Sequence, residues 1–304
     1  MSMIRPKGLQ KGDLVAVAAP AGAFDRKEFE AGVKGLKDLG FEVTFRDDIF
    51  SEHLYMAGTD ERRADEINGF FADPNIRAIF FARGGYGTQR ILPLLDLEII
   101  KNNPKVVLGY SDITALHSFL MHHEIGGSFY GPTVTKHFKQ APKETLSILY
   151  NSITSTKPLG NIEIAGANVL KGGQAEGKLI GGCLSLISSS IGTPYDLNTD
   201  DSILFLEDVG EPVYKYDRML THLKAAGKLR GVRGIIFGSF AEEDKKLEEK
   251  MIADVLGDFP GPIINRFPAG HFDLKKLFVT IPLGVKASLT TEPIKLKILE
   301  PALI

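Results

Sequence analysis

The sequence contains no tryptophan and a single cysteine, Cys183, among its 304 residues. One cysteine cannot form an internal disulfide, and it excludes a metal site built from several thiolates. An excess of positive charge is also missing, because the formal net charge is −2. The chain therefore lacks the basic surface expected of proteins that bind nucleic acid or anionic membranes. We predict neither nucleic acid nor membrane among its partners.

Long apolar runs are absent as well. The longest uncharged run, Leu179 to Tyr195, is shorter than a membrane span and rich in glycine and serine. The apolar stretch Leu14 to Phe24 follows basic residues, as in a signal peptide, but Asp13 flanks it and its Ala-Pro-Ala-Gly segment is too weakly apolar. These observations predict a cytoplasmic protein. Its length suffices for one large domain or two ordinary ones.

The first half of the chain alternates apolar, β-branched runs with segments of helical periodicity. Leu14–Ala19, Ile76–Ala82 and Val106–Leu108 are strand patterns, and each is followed by a helical pattern. Strands that alternate with helices indicate a parallel sheet covered on both faces, which is a doubly wound α/β domain. Sites in such sheets lie at the carboxyl ends of the strands.

The second half has a different character, in which strands dominate. Four runs fit strands: Ser202–Leu206, Arg233–Phe237, Leu277–Ile281 and Ile294–Ile298. The stretch Ser152–Gly160, with its serines, threonines and proline, is typical of a linker. We therefore predict an N-terminal doubly wound domain over residues 1–151, a linker over 152–172 and a C-terminal β-rich α/β domain over 173–304.

Ser111 lies where a buried strand turns sharply into a helix. Val106–Leu108 is strand-like, whereas apolar residues recur at helical spacing from Ile113. Hydrolases place a nucleophilic serine at such a turn because it lifts the hydroxyl clear of the sheet, and the helix N-terminus favours negative charge. Serine and aspartate are also favoured N-cap residues, and the second glycine of G-x-S-x-G is missing. This stretch alone leaves both interpretations open.

The turn Gly84-Gly85-Tyr86-Gly87 comes just after the predicted strand Ile76–Ala82 and has three interpretations. It resembles a phosphate loop, but it has neither the G-x-G-x-x-G spacing nor a following Gly-Lys-Ser/Thr. It can equally be a tight turn that needs the flexibility of glycine. The third interpretation is an oxyanion hole formed by the backbone N–H groups of Gly85 and Asp112, since a substrate can approach a glycine main chain closely.

Candidate partners for the serine lie in the second half. Glu207 ends an apolar strand, where acids are usually solvated, but it could instead orient a histidine base. His271 follows a small, flexible dipeptide and is either a surface histidine or such a base. Three further histidines crowd one helix: His117, His122 and His123. Their spacing is not that of a metal site. Cys183 is most simply a small buried side chain.

Six stretches, in this order, resemble motifs of the LD-carboxypeptidase family of serine peptidases, which also contains the microcin C immunity peptidases. They are Ala18–Gly22, Ala82–Gly87, Gly109–Asp112, Gly177–Gly182, Leu206–Asp208 and Gly270–His271. The resemblance spans nearly the whole chain and implies two domains with the site between them. It also implies a Ser-Glu-His triad of Ser111, Glu207 and His271, a homodimer, and no metal or organic cofactor.

The resemblance further implies a carboxypeptidase that cuts an L-to-D peptide bond and releases the terminal D-alanine of a murein tetrapeptide in cell-wall recycling. The immunity branch is similar, but it cleaves peptidyl- or aminoacyl-nucleotides and stacks a tryptophan against the base. The lack of tryptophan favours the murein branch, although Tyr195 is an alternative stacking surface. The expected partner is thus a small peptide or peptide–nucleotide. A non-catalytic two-domain small-molecule binding module and a nucleotide-dependent enzyme are alternatives of other classes.

Overall fold

A computed structural model describes residues 3–162, 164, 166–240 and 245–304. Its strands are β1 (Leu14–Ala18), β2 (Glu42–Thr44), β3 (Ile76–Phe81), β4 (Val106–Gly109), β5 (Ser128–Tyr130), β6 (Gly160–Ile162), β7 (Asn168–Lys171), β8 (Gln174–Cys183), β9 (Ser202–Glu207), β10 (Val232–Phe237), β11 (Ile263–Asn265), β12 (Ile281–Pro282), β13 (Val285–Thr291) and β14 (Ile294–Ile298). Its α-helices are α1 (Arg26–Asp38), α2 (Asp60–Ala72), α3 (Thr88–Ile91), α4 (Leu97–Asn102), α5 (Thr114–His122), α6 (Lys143–Thr154), α7 (Leu184–Ser190), α8 (Val213–Ala225) and α9 (Lys245–Val255).

The first sheet has six strands in the order β12-β5-β4-β3-β1-β2. Strands β1 to β5 pair in parallel, and β12 joins the edge antiparallel to β5. Nearly every residue of β1, β3 and β4 is buried, as expected when helices cover both faces of a parallel sheet. The doubly wound fold is confirmed, and β3 pairs directly with β4. The loops that follow these two strands therefore meet at one edge.

Local sequence signals set the helices of this half. The Asp25 carboxylate accepts hydrogen bonds from the Lys27 and Glu28 amides and so caps α1. The Thr59 hydroxyl caps α2 in the same way by accepting from the Arg62 amide. Helix α2 ends at Ala72, just before the Asp-Pro pair that cannot continue it. Residues next to each helix thus set where α1 and α2 begin and where α2 ends.

The second sheet has eight strands in the order β6-β14-β13-β8-β9-β10-β11-β7. Four adjacent strands, β8 to β11, run parallel and are connected through α7, α8 and α9. The flanking strands pair antiparallel on either side. The second half is thus a mixed α/β layer, and β9 delivers its last residue, Glu207, to the carboxyl edge of the parallel core.

One strand prediction was wrong. Leu277–Ile281 forms a strand only at its end, where β12 begins at Ile281. Earlier in this run, the Phe278 amide donates to the Thr145 hydroxyl oxygen at 2.9 Å, and the Val279 amide donates to the Pro268 carbonyl at 2.7 Å. The run is buried because it packs against the core, but its amides are satisfied by loops and a helix instead of a strand ladder.

The segment 152–172, predicted as a linker, contains the end of α6 and the strands β6 and β7. Residues 163 and 165 of this segment lie outside the described residues. One apolar core extends from the first sheet into the second, so the two halves pack directly on each other. None of the helices among the described residues combines the length and the apolar character that a membrane span requires.

Candidate active site

Ser111 occupies a strained turn between β4 and α5. Its backbone φ is +64°, in the left-handed region that costs a non-glycine residue roughly 1–3 kcal/mol. A short 3-10 turn over Ser111–Ile113 leads directly into α5. Gly84 packs against this turn, and a Cβ added there would lie 2.7 Å from the Ser111 Cβ and 2.9 Å from its Oγ. The turn therefore needs glycine beside it and holds the hydroxyl at the sheet edge.

Three side chains form a hydrogen-bonded chain across the two sheets. The Ser111 Oγ lies 2.9 Å from Nε2 of His271, and Nδ1 of His271 lies 2.9 Å from Oε2 of Glu207. Because a carboxylate only accepts, Nδ1 carries the ring proton and leaves Nε2 free to accept the serine proton. Of the predicted site residues, Ser111, His271 and Glu207 are thus brought together, in that order, as candidate nucleophile, base and orienting acid.

Glu207 is completely buried, yet every donor that reaches it is neutral in this tautomer. The His271 backbone N–H donates to Oε2 at 3.0 Å, in addition to the ring Nδ1. The other carboxylate oxygen, Oε1, accepts from the hydroxyl of Tyr130. Gly270 approaches so closely that an added Cβ would lie 2.9 Å from the Glu207 Cδ. A buried carboxylate held by several donors is a rigid orienting group for the imidazole.

Tyr130 was not among the predicted site residues. Its hydroxyl accepts from the Ser111 amide at 3.3 Å while donating to Glu207. Burial, together with the adjacent Glu207 charge, raises the pKa of the Tyr130 hydroxyl well above its ordinary value, so it stays protonated. The sequence gives no local signal for this role, because an aromatic residue at the end of a buried strand such as Ser128–Tyr130 is typical of any sheet core.

The two predicted oxyanion-hole amides lie on the loops that meet beside Ser111. The loop after β3 is tied to the first βα loop by a hydrogen bond from the Gly22 amide to the Gly84 carbonyl, at 3.1 Å. The Asp112 carboxylate turns away to accept from the Thr88 amide at 2.8 Å, and burial raises its pKa. Among the hydrogen bonds of the described residues, neither the Gly85 nor the Asp112 amide has an acceptor. Gly85 is exposed at its turn, whereas Asp112 is only 1% exposed.

The other candidate residues have structural partners. Cys183 is 3% exposed, and burial raises the pKa of its thiol well above the ordinary value, so no thiolate is available there. Asp208 accepts from the Ser185 amide at 2.7 Å, at the start of α7. The ring of His117 is buried against the Gly109 carbonyl, 2.9 Å from Nε2. Across the described ranges, no cluster of His, Cys, Asp or Glu could hold a metal ion.

A cleft of about 960 Å³ opens beside the imidazole. His271 and Tyr110 both line it, and their ring centroids lie 4.9 Å apart. Lys136, Glu211 and Phe272 also line it. Tyr195 does not belong to this lining; its ring packs near Phe119, at a centroid distance of 6.1 Å. The cleft therefore borders the histidine of the Ser111–His271–Glu207 chain.

Comparisons with known proteins agree with this geometry. The family model described as "LD-carboxypeptidase N-terminal domain" matches residues 15–131, and the one described as "LD-carboxypeptidase C-terminal domain" matches residues 176–289. The chain is 33% identical to a "Probable murein peptide carboxypeptidase" of Bacillus subtilis strain 168, covering 94% of this chain and 92% of that protein. It is 28% identical to the "Microcin C7 self-immunity protein MccF" of Escherichia coli, covering 90% of this chain and 88% of that protein. The crystal structure of an MccF-like protein from Bacillus anthracis str. Ames is similar, with a TM-score of 0.89 at 28% identity, covering 97% of this chain and 99% of that one.

Proposed function

The chain belongs to the LD-carboxypeptidase family of serine peptidases, and on that premise we propose that it releases the terminal D-alanine of a murein tetrapeptide by hydrolysing an L-to-D peptide bond. The observation that carries the proposal is the Ser111–His271–Glu207 hydrogen-bond chain, with 2.9 Å at each of its two links. A serine next to an oriented base is the arrangement that acyl transfer to a hydroxyl requires.

In the proposed acylation step, His271 Nε2 takes the Ser111 proton as Oγ attacks the carbonyl carbon of the scissile bond. Glu207 stabilises the resulting imidazolium through the Nδ1–H bond. The Gly85 and Asp112 amides stabilise the tetrahedral oxyanion, each donor contributing roughly 3–4 kcal/mol. His271 then gives its proton to the leaving nitrogen, the C–N bond breaks, and D-alanine departs. Water repeats the sequence on the acyl-enzyme and regenerates Ser111.

The proposal divides the site between two domains. Ser111 comes from the predicted N-terminal nucleophile domain, residues 1–151, while Glu207 and His271 come from the predicted C-terminal domain, residues 173–304. The division is supported by two family models that match on either side of the segment 152–172. The relative placement of the two sheets therefore determines the distance between nucleophile and base.

The second candidate function is hydrolysis of a peptidyl- or aminoacyl-nucleotide. It is favoured by the similarity to the MccF immunity protein and to the MccF-like structure. Against it, this chain has no tryptophan to stack on a base, and Tyr195 packs near Phe119 instead of lining the cleft. We therefore rank the murein peptide first.

The test is incubation of the purified protein with murein tetrapeptide, an L-L tripeptide and a peptidyl-adenylate analogue, with products identified by mass spectrometry. Release of D-alanine from the tetrapeptide alone is the expected result. Cleavage of the adenylate without cleavage of the tetrapeptide would replace the first function by the second. We further propose a homodimer acting in cytoplasmic cell-wall recycling, and light scattering on the eluted protein should give twice the chain mass of 33.2 kDa.

A further inference from the structure

Tyr130 connects the two halves of the site through one oxygen atom. It ends β5 in the first sheet, whereas its hydrogen-bond acceptor Glu207 ends β9 in the second. The same hydroxyl accepts the amide of Ser111, the residue with the left-handed φ. The Tyr130 hydroxyl thus donates to one member of the triad and accepts from the backbone of another, and the side chain is fully buried.

We propose that Tyr130 is a positioning residue that sets the strength of Glu207 as an acceptor and holds the Ser111 turn against it. The proposal rests on the triad assigned above. A hydroxyl that donates to Oε1 withdraws electron density from the carboxylate and so weakens its attraction for the imidazolium. Its oxygen simultaneously satisfies the amide of a strained residue that no helix or strand ladder holds. Without the hydroxyl, Glu207 and the Ser111 amide would lose the oxygen atom that is hydrogen-bonded to both of them.

Replacement by phenylalanine tests this role by removing only the hydroxyl. In Tyr130→Phe we expect kcat to fall roughly 10- to 100-fold, the range for losing a hydrogen bond to a charged group, with little change in KM. Glu207 then becomes a stronger acceptor and favours the imidazolium form of His271. The acidic limb of the profile of kcat/KM against pH reports protonation of this base, so it should move to higher pH. A residue that only fills space would leave this limb in place.

The matched control is Tyr216→Phe, which removes the hydroxyl of another fully buried tyrosine. That hydroxyl accepts from the Glu211 amide at 3.2 Å and has no hydrogen bond to the triad, so the acidic limb should not move. Incorporation of 3-fluorotyrosine at position 130 preserves the packing and strengthens the donor. The limb should then move to lower pH, opposite to the shift in Tyr130→Phe.

An unmoved acidic limb in both Tyr130 variants, with kcat within threefold of wild type, would overturn the positioning role. If Tyr130→Phe does not fold, the fluorotyrosine protein alone decides between the two outcomes. A failure of the triad itself would be recognised separately, because Ser111→Ala would then retain activity.

A second, independent observation concerns the cleft beside His271. Of the described residues that line it, Lys136 is the one lysine or arginine, and it forms no ion pair within the described part of the chain. Two carboxylates share this lining: Glu211 is paired with Lys215, whose Nζ lies 2.6 Å from it, and Asp273 accepts the Lys275 amide at 3.0 Å. An exposed ammonium group that has no ion pair in the described part of the chain is suited to a ligand carboxylate.

We infer that Lys136 binds the free carboxylate of the terminal residue of the substrate. The inference rests on the proposed function. The leaving nitrogen must reach His271 Nε2 to receive its proton, so the departing residue lies in the cleft that His271 and Tyr110 border. Its carboxylate is attached one carbon from that nitrogen and therefore faces the same cleft, where Lys136 supplies the positive charge. This contact would restrict cleavage to the last residue of a peptide.

The test compares a murein tetrapeptide with the same peptide carrying a C-terminal amide. In Lys136→Gln we expect kcat/KM for the free acid to fall roughly 10- to 100-fold, mainly through KM, while kcat/KM for the amide changes less than threefold. Lys136→Arg should recover part of the loss. Lys139→Gln, an exposed lysine on the same loop outside the cleft lining, is the matched control.

Equal effects on acid and amide, or an undiminished preference for the acid in Lys136→Gln, would overturn the assignment. If wild-type protein cleaves neither peptide, the murein function itself fails, and that result is distinct from a failure of Lys136.

Discussion

Replacing Glu207 by glutamine removes a negative charge from the centre of the site with almost no change in volume. Oε2 of Glu207 accepts two hydrogen bonds from His271, and Oε1 accepts the Tyr130 hydroxyl. An amide group has one acceptor oxygen and one donor nitrogen, so it cannot satisfy all three donors. Either Tyr130 loses its acceptor, or the imidazole must present an unprotonated Nδ1 and take the wrong tautomer for proton transfer from Ser111.

For Glu207→Gln we expect kcat to fall roughly 10³- to 10⁴-fold, equivalent to about 4–5 kcal/mol of transition-state stabilisation. The imidazolium also loses its charged partner, so the acidic limb of the kcat/KM profile should move to lower pH. The assay is D-alanine release from murein tetrapeptide at pH 5–9, with kcat and KM separated. Tyr130→Phe should move the same limb the other way, so the pair tests the electrostatics and not only the packing.

Two further variants test whether Glu207 acts on the base. The double variant Ser111→Ala/Glu207→Gln should be little slower than Ser111→Ala, because members of one catalytic unit are strongly non-additive. Asp208→Asn changes the neighbouring carboxylate, which accepts the Ser185 and Val209 amides, and should lower Tm while leaving kcat within a few-fold. Near-normal kcat and an unmoved acidic limb in Glu207→Gln would show that the carboxylate does not act on the base.

Three further substitutions have expected outcomes. Cys183→Ala should keep normal kcat, because the buried thiol is not ionised; an inactive but stable variant would contradict the serine mechanism. Gly84→Ala puts a Cβ 2.7 Å from the Ser111 Cβ and should lower kcat roughly 100-fold by displacing the hydroxyl, measured beside an unchanged circular dichroism spectrum. Burial lowers the pKa of His117 to about 4, so its folded-state pKa lies below the unfolded value and stability is lost as pH falls from about 6.5 to 4. In His117→Gln the Tm deficit relative to wild type should therefore shrink between pH 7 and pH 4.5; a constant deficit would contradict the assignment.

The sequence predicted the first half of the fold well because its signals are local. Apolar runs such as β4, the caps of α1 and α2, and the pairing of consecutive strands each depend on neighbouring residues. They also placed Ser111 at a strand-to-helix turn. The same reasoning missed β8, where three of the ten residues, Gly177, Gly181 and Gly182, weaken the strand pattern. It also mistook the buried run from Leu277 for a strand, because burial alone does not tell which partner takes a backbone amide.

The remaining site residues came from the family resemblance and not from local pattern. His271 is 64 residues from Glu207 and 160 residues from Ser111 along the chain, and their contact exists only once the two sheets pack together. Tyr130 was missed for the same reason. In sequence it is one more aromatic residue of a buried strand, and its hydroxyl acquires a role only because β9 delivers a carboxylate beside it.

The central claim is that Ser111 is the nucleophile, and single-turnover kinetics of Ser111→Ala on murein tetrapeptide tests it most directly. With the fold verified by an unchanged Tm, we expect a loss of D-alanine release of roughly 10⁵- to 10⁶-fold, as for other serine triads. Retention of more than a tenth of the wild-type rate would contradict it.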